Sequence, residues 1–474
     1  MLSAFSGRLV QYDYPQADFE RIWKEVLLYQ FHDILPGSSI KRVYDESLAR
    51  YEELYRNAAE LRDRAADALV SRIDTSSCKK PNVIFNTLSF PRGQWLRVDG
   101  KYLYAEVPAI GYSVIETADL SGDKDKETAN EILNFANVIE NETLRVKFGD
   151  DGTIVSLINK KIDSDLLESP SNLLLLYKDT GNAWDIPYDY RDAAPERAML
   201  DNCAYVVEGP VQCVKQTYKY NQSVFNVTVS LTQGSERLDF SMEADWHEKE
   251  TMLRLQFNPA VKCSCVESEI QYGYISRSFM DNNTYEKAQH EICAHNWIGV
   301  SQPGLVFAVL NDCKYGYYAK NGMIEMNVLR GASCRGEVID CGRFALRYSL
   351  IGYQEDPGYI KITRQALDLN TGLLMRGADR HNGDLPSENS FVNLRHEYGG
   401  SVLIDAVKKA EQSNAVIIRS YESSGQNTGV EYELGLGSGR VTECDLCEAY
   451  LSDINNIVEY KPFEIKTLCA SLIS

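Results

Sequence analysis

Between residues 17 and 73, apolar side chains recur at the spacing of a helix face. Phe19, Ile22, Trp23, Val26 and Leu27 follow i, i+3, i+4, i+7, i+8, which predicts an amphipathic helix burying this set. Pro36-Gly37 breaks the pattern as a turn, and Ser38 or Ser39 is placed to cap a second helix. That helix carries Ile40, Val43, Tyr44, Leu48, Tyr51, Leu54, Tyr55, Leu61, Ala65 and Leu69. The two predict an antiparallel hairpin, which needs a third partner to close a bundle.

After Ser76 the period changes. Short alternating or apolar runs at 83–85, 105–107, 144–148, 224–231 and 305–310 are split by Gly, Asn, Asp and Pro. Many short strands with frequent turn signals predict antiparallel β-sandwiches. The fold class expected is therefore mainly β with an N-terminal helical segment: a helical bundle hairpin, then large antiparallel β-sandwich domains. Polar stretches at 120–130 and 376–390 read as a linker and a separator. Four units follow: 1–75 helical, 76–120 a small β unit, 131–380 a large sandwich, and 385–474 a C-terminal β unit. No repeat at solenoid periods is present.

Charge narrows the partners. With 49 basic and 68 acidic residues the net charge is −19. An acidic surface of that size argues against nucleic acid or an anionic membrane as the main partner. No apolar run approaches the roughly 18 residues of a membrane helix. The first residues show no secretion-signal pattern, so the twelve cysteines are expected to be reduced cytoplasmic thiols without a needed disulfide. Asn141 and Asn221, though in glycosylation-type sequons, would then stay unmodified. A homo-oligomer is compatible with all of this.

The densest candidate chemistry is the run from Gln30 to Ser39, QFHDILPGSS. His32 and Asp33 sit side by side where a helix gives way to a Pro-Gly turn, and element ends are where reactive groups meet substrate. A neutral His can bind Zn²⁺, and Asp can accept sugar hydroxyls. The plain alternative has Asp33 capping the turn and His32 packing at a helix end. Trp184 and Asp185, in the aromatic and acidic stretch 182–190, suit a sugar site, against the alternative that Trp184 anchors the loop in a core. Asp245-Trp246-His247-Glu248 follows a strand-like run and favours packing. Cys444 and Cys447 have CxxC spacing but no second ligand pair or βαβ context, so they read as two small buried thiols. No P-loop, GxGxxG or GxSxG motif occurs.

The segment 23–44, WKEVLLYQFHDILPGSSIKRVY, resembles the part closing the active site of glycoside hydrolase family 38 α-mannosidases, nearest to the cytosolic-type branch. The likeness continues in order. It runs through Phe85-Asn86-Thr87-Leu88-Ser89 with Arg92, Asn182-Ala183-Trp184-Asp185, Asp245-Trp246, Leu329-Arg330 and Tyr421-Glu422 to Pro462-Phe463-Glu464-Ile465.

The resemblance implies a zinc-dependent retaining α-mannosidase acting on oligomannose. His32 would match a zinc ligand, while Asp33, Trp184 and Asp185 would meet substrate. It also implies that the family's N-terminal catalytic half, with the remaining zinc ligands and the nucleophile, is missing here. No His-x-Asp pair occurs in this sequence. The family often carries a histidine near 340–344, and this chain has none. The chain alone is then expected to be inactive, and the loop 31–39 to be mobile or oddly exposed. The rival expectation is a non-catalytic β-sandwich protein that binds carbohydrate or scaffolds another chain.

Overall fold

The computed structural model describes residues 1–10, 12–118, 131–132, 137–334, 337–338, 340–354, 357–396, 400–435, 439–454 and 456–472. The expected linker at 120–130 lies outside the described residues. The architecture is a helical N-terminal segment followed by antiparallel sheets.

Three helices open the chain: α1 (Leu2–Leu9), α2 (Gln16–Tyr29) and α3 (Lys41–Val70). The hairpin of α2 and α3 is present, but α1 was not expected. It supplies the third partner: Ser6 Oγ donates to the Ala65 carbonyl at 2.7 Å, and Phe5 shares a core with Ala65, Ala66 and Leu69. Serine also corrects the capping expectation. Residue Ile40 takes the N-cap position of α3 with no side-chain cap, because Ser38 turns back into the preceding loop.

The buried face of α2 is narrower than expected. Ile22, with Phe19 and Val26, packs on Leu54 and Leu61 of α3, whereas Trp23 is 62% exposed and Leu27 61%. On α3, Leu48 and Tyr55 are likewise exposed. Periodicity identifies an apolar arc but not which part of it a neighbour covers. Two substitutions should separate the stripes. Leu61→Ala is expected to cost about 2–5 kcal/mol through a cavity, and Leu48→Ser less than about 0.5 kcal/mol, both read by urea unfolding.

Next comes a four-stranded sheet in the order 374–377, 81–86, 111–116, 388–390. The polar stretch 376–390 therefore does more than separate: it lends strand to the small β unit. Here Arg376 reaches Asp67 of α3 at 2.7 and 2.8 Å. A hairpin of Arg92–Val98 and Lys101–Val107 lies alongside.

The large β region packs a ten-stranded sheet on a six-stranded one, with side chains from both in one core. The strand Ser223–Thr232 shows why: Phe225, Val227, Val229 and Leu231 point inward at every second position, the period of a half-covered strand. Phe240 stacks on Tyr348 from the neighbouring strand, ring centres 4.5 Å apart. A short helix, α4 (Thr284–Ala288), and a longer one, α5 (Ile360–Asn370), interrupt the sheets. Every strand pair among the described residues is antiparallel.

The C-terminal block pairs a three-stranded and a five-stranded sheet. Its core is continuous with that of the N-terminal helices: Phe5 of α1 stacks on Phe391 at 4.4 Å.

Candidate active-site loop

The loop from α2 to α3 is built from backbone turns that hold His32 and Asp33 outward. Ile34 and Leu35 N–H groups donate to the Phe31 carbonyl, and the Gly37 N–H donates to that of Ile34. Gly37 sits at φ +80°, in the left-handed region that glycine enters without a Cβ clash. Tyr44, in the first turns of α3, clamps the loop. Its hydroxyl accepts from the Ser39 N–H at 2.9 Å and faces the carbonyls of Asp33 and Ile34 at 3.2 and 3.4 Å. Ser38, buried, donates toward the Asp33 carbonyl and Oδ1. The loop is thus exposed, as expected, but the chain's own hydroxyls hold it.

His32 is not packed at a helix end. Its side chain is 77% exposed, its ring leans on Phe31 at 4.2 Å, and its Nε2 lies 3.5 Å from Asp33 Oδ2. Two donors do not make a zinc site, which needs three or four protein ligands. Among the described residues no group of three or more His, Cys, Asp or Glu is placed to hold a metal. The residues of this chain alone do not fit a zinc ion.

The second loop, 182–190, is anchored by polar groups. Asn182 Oδ1 accepts from the Trp184 and Asp185 N–H groups at 2.9 and 3.1 Å. Arg330 donates to the fully buried Asp179 at 2.7 and 3.0 Å, and to the Asp185 carbonyl at 3.1 Å. Trp184 is 60% exposed, which overturns its reading as a core anchor. Trp246, by contrast, is buried, as packing requires. No hydrogen bond, ion pair or ring contact joins the 182–190 loop to His32 or Asp33 among the described residues.

Where Ile186 and Tyr190 of this loop pack on Tyr177 lies a network that no short motif announces. Arg191 donates to Glu325 at 2.6 and 2.9 Å, and its guanidinium sits 3.7 Å over the Tyr318 ring. Tyr177 donates to Glu325 at 3.0 Å, Tyr190 to Glu291 at 2.8 Å, and the buried Arg254 to Glu291 at 2.6 Å. Burial raises the Tyr177 and Tyr190 hydroxyls well above the ordinary phenol range, so they stay protonated donors. These residues are spread from 177 to 325; the pairing of strands 173–178, 251–257 and 323–330 brings Tyr177, Arg254 and Glu325 together.

The CxxC pair is split. Cys444 is buried, its thiol pushed up to about 11 by burial, but Cys447 is exposed, which corrects the expectation of two buried thiols. The eleven cysteines whose side chains are described are all free.

Three family models match in chain order. The alpha mannosidase middle domain covers 1–69, the glycosyl hydrolases family 38 C-terminal domain covers 139–334, and that family's C-terminal beta sandwich domain covers 401–468. The chain belongs to glycosyl hydrolase family 38. His32 and Asp33 fall inside the middle-domain match, Trp184 and Asp185 inside the C-terminal-domain match.

Family 38 relatives agree along the whole chain. Alpha-mannosidase G of Dictyostelium discoideum is 24% identical over 98% of this chain and 49% of its own length. Alpha-mannosidase 2C1 of Homo sapiens is 26% identical over 98% and 46%. The chain thus spans about half the length of the curated relatives it matches. An alpha-mannosidase from Enterococcus faecalis shares the fold, with a TM-score of 0.82 at 19% identity, covering 99% of this chain and 65% of that one. Among the described residues no helix is long and apolar enough to cross a membrane.

Proposed function

We propose that this chain is the middle and C-terminal portion of a cytoplasmic α-mannosidase that hydrolyses α-mannosidic bonds in oligomannose. The nucleophile and acid/base come from the half of the relatives' length that it does not span. One observation carries the reading: the hydroxyl-clamped loop that presents His32 and Asp33 joins two helices that leave Trp23, Leu27, Leu48 and Tyr55 exposed. An exposed apolar patch next to polar site residues marks a surface that another polypeptide covers.

In this reading Asp33 accepts a sugar hydroxyl, with its carboxylate steadied by Ser38. Trp184 offers its exposed ring to a sugar face, and Asp185 a further acceptor. His32 is one ligand to a zinc ion whose other ligands lie outside this chain. The two carboxylates of a retaining glycosidase are likewise expected from the other half.

The test is an assay with a chromogenic α-mannoside, using the chain alone and the chain with the polypeptide encoded immediately upstream. No turnover alone and turnover together is the expected outcome. Turnover by the chain alone would overturn the division of labour. No turnover in either case, with oligomannose still bound, would favour a carbohydrate-binding scaffold.

A further inference from the structure

A cavity of about 690 Å³ lies where the hairpin Arg92–Val98/Lys101–Val107, the helix α5 and the C-terminal block meet. No residue of the 30–39 or 182–190 loops lines it. Its size is that of a small-molecule pocket.

Its walls are cationic in an otherwise acidic protein. The Arg92 side chain is 3% exposed, and its Nε donates to Asp368 at 2.7 Å. Both of its terminal nitrogens are buried and have no partner. Arg364, one turn before Asp368 on α5, donates to the Gly400 carbonyl and lies 5.4 Å from the Phe90 ring centre. Its Nε is also buried without a partner. Burial alone lowers the Arg364 pKa from its ordinary value, and no carboxylate opposes the shift. Thr428, 6% exposed, adds an unpartnered buried hydroxyl.

Asp368 pairs with Arg92, and Arg237 behind it has Asp239 at 2.6 Å, so Arg364 is the cation of this set that no carboxylate offsets. The wall at 424–426 is fixed from behind. The fully buried Glu422 accepts from the N–H groups of Ser424 and Gly425 at 2.7 Å and of Gln426 at 3.2 Å. A buried guanidinium is retained when something ionic pairs with it, and its planar fork matches carboxylate or phosphate oxygens two at a time.

We propose that this cavity binds a sugar-sized polyol carrying one oxyanion, phosphate or carboxylate, held by Arg92, Arg364 and Thr428. The amides of Gln365 and Gln426, which also line the cavity, suit the hydroxyls of such a body. Since the walls come from three segments distant in sequence, occupancy would tie these segments together and raise the unfolding temperature.

Calorimetric titration of the 474-residue chain at fixed ionic strength tests this, with inorganic phosphate, glucose 6-phosphate, glucuronate and neutral glucose as probes. At least one anionic probe should bind and raise the unfolding temperature while glucose does neither. Phosphate ester alone or glucuronate alone would identify the source of the oxyanion. Arg364→Gln, which changes a half-buried residue, should weaken binding at least tenfold, and Thr428→Val should weaken it measurably. No binding of any anion at millimolar concentration would overturn the proposal. Binding left unchanged by both substitutions would do the same.

Discussion

Replacing His32 with alanine is expected to lower the α-mannosidase activity of the complemented assembly by at least about 100-fold, by analogy with the effect of losing even an outer-shell partner of a metal site. The isolated chain should unfold at an unchanged urea midpoint. The side chain is 77% exposed, and its ring and ion-pair partners among the described residues are Phe31 and Asp33, so its loss opens no cavity and strands no buried group. This contrast makes the test sharp: a purely structural histidine would move stability and activity together. Activity that survives His32→Ala at the wild-type level would remove His32 from the site.

The second large effect is on stability. Glu325→Ala is expected to destabilise the chain by about 3–5 kcal/mol, the cost of breaking a buried ion pair from one side. Glu325 is fully buried and accepts from Arg191 twice and from Tyr177 once. Its removal leaves the Arg191 cation and a buried phenol without their acceptor. Asp185→Asn, on the exposed loop above, should change stability by less than about 0.5 kcal/mol. Urea unfolding of both variants checks the pair, and equal midpoints would contradict it. Because Arg191 follows Tyr190 at the end of the 182–190 loop, Glu325→Ala should also loosen the presentation of Trp184, visible as a change in tryptophan fluorescence.

Much of the architecture was legible because it rests on periodicity. The 3.6-residue pattern of α2 and α3 and the twofold alternation of strands such as Ser223–Thr232 are local properties of the chain. Helix α1 was missed because LSAFSGRL is a single eight-residue stretch with serines and a glycine, too short to show a period; it is a helix because Phe5 and Leu2 find a core.

His32 and Asp33 could be singled out because they are adjacent in sequence. Arg92, Arg364 and Thr428, or Tyr177, Arg254 and Glu325, could not. Each set is assembled by strand pairing and helix docking across more than a hundred positions, and nothing local records it. For Trp184 composition left two readings, a sugar-facing ring and a loop anchor, and only the structure separates them: Asn182 and Arg330 anchor the backbone and leave the ring free.

The stacking of Phe5 on Phe391, and the core that joins α1 and α3 to strands as late as Ile465–Leu472, have a kinetic consequence. Contacts of such sequence separation incur their loop-closure entropy before they return any stabilisation. During synthesis α1 and α3 can meet each other and the small β unit early, but the side of their core that Phe391 and the last strands cover stays open until those strands have left the ribosome. The large sandwich, whose core is drawn from residues 139–350, can form in the meantime. Refolding from denaturant should therefore show the sandwich recovering first and the packing of α1 and α3 on the last strands last. The late-burying apolar residues of α1 and α3 would be where a chaperone holds the nascent chain.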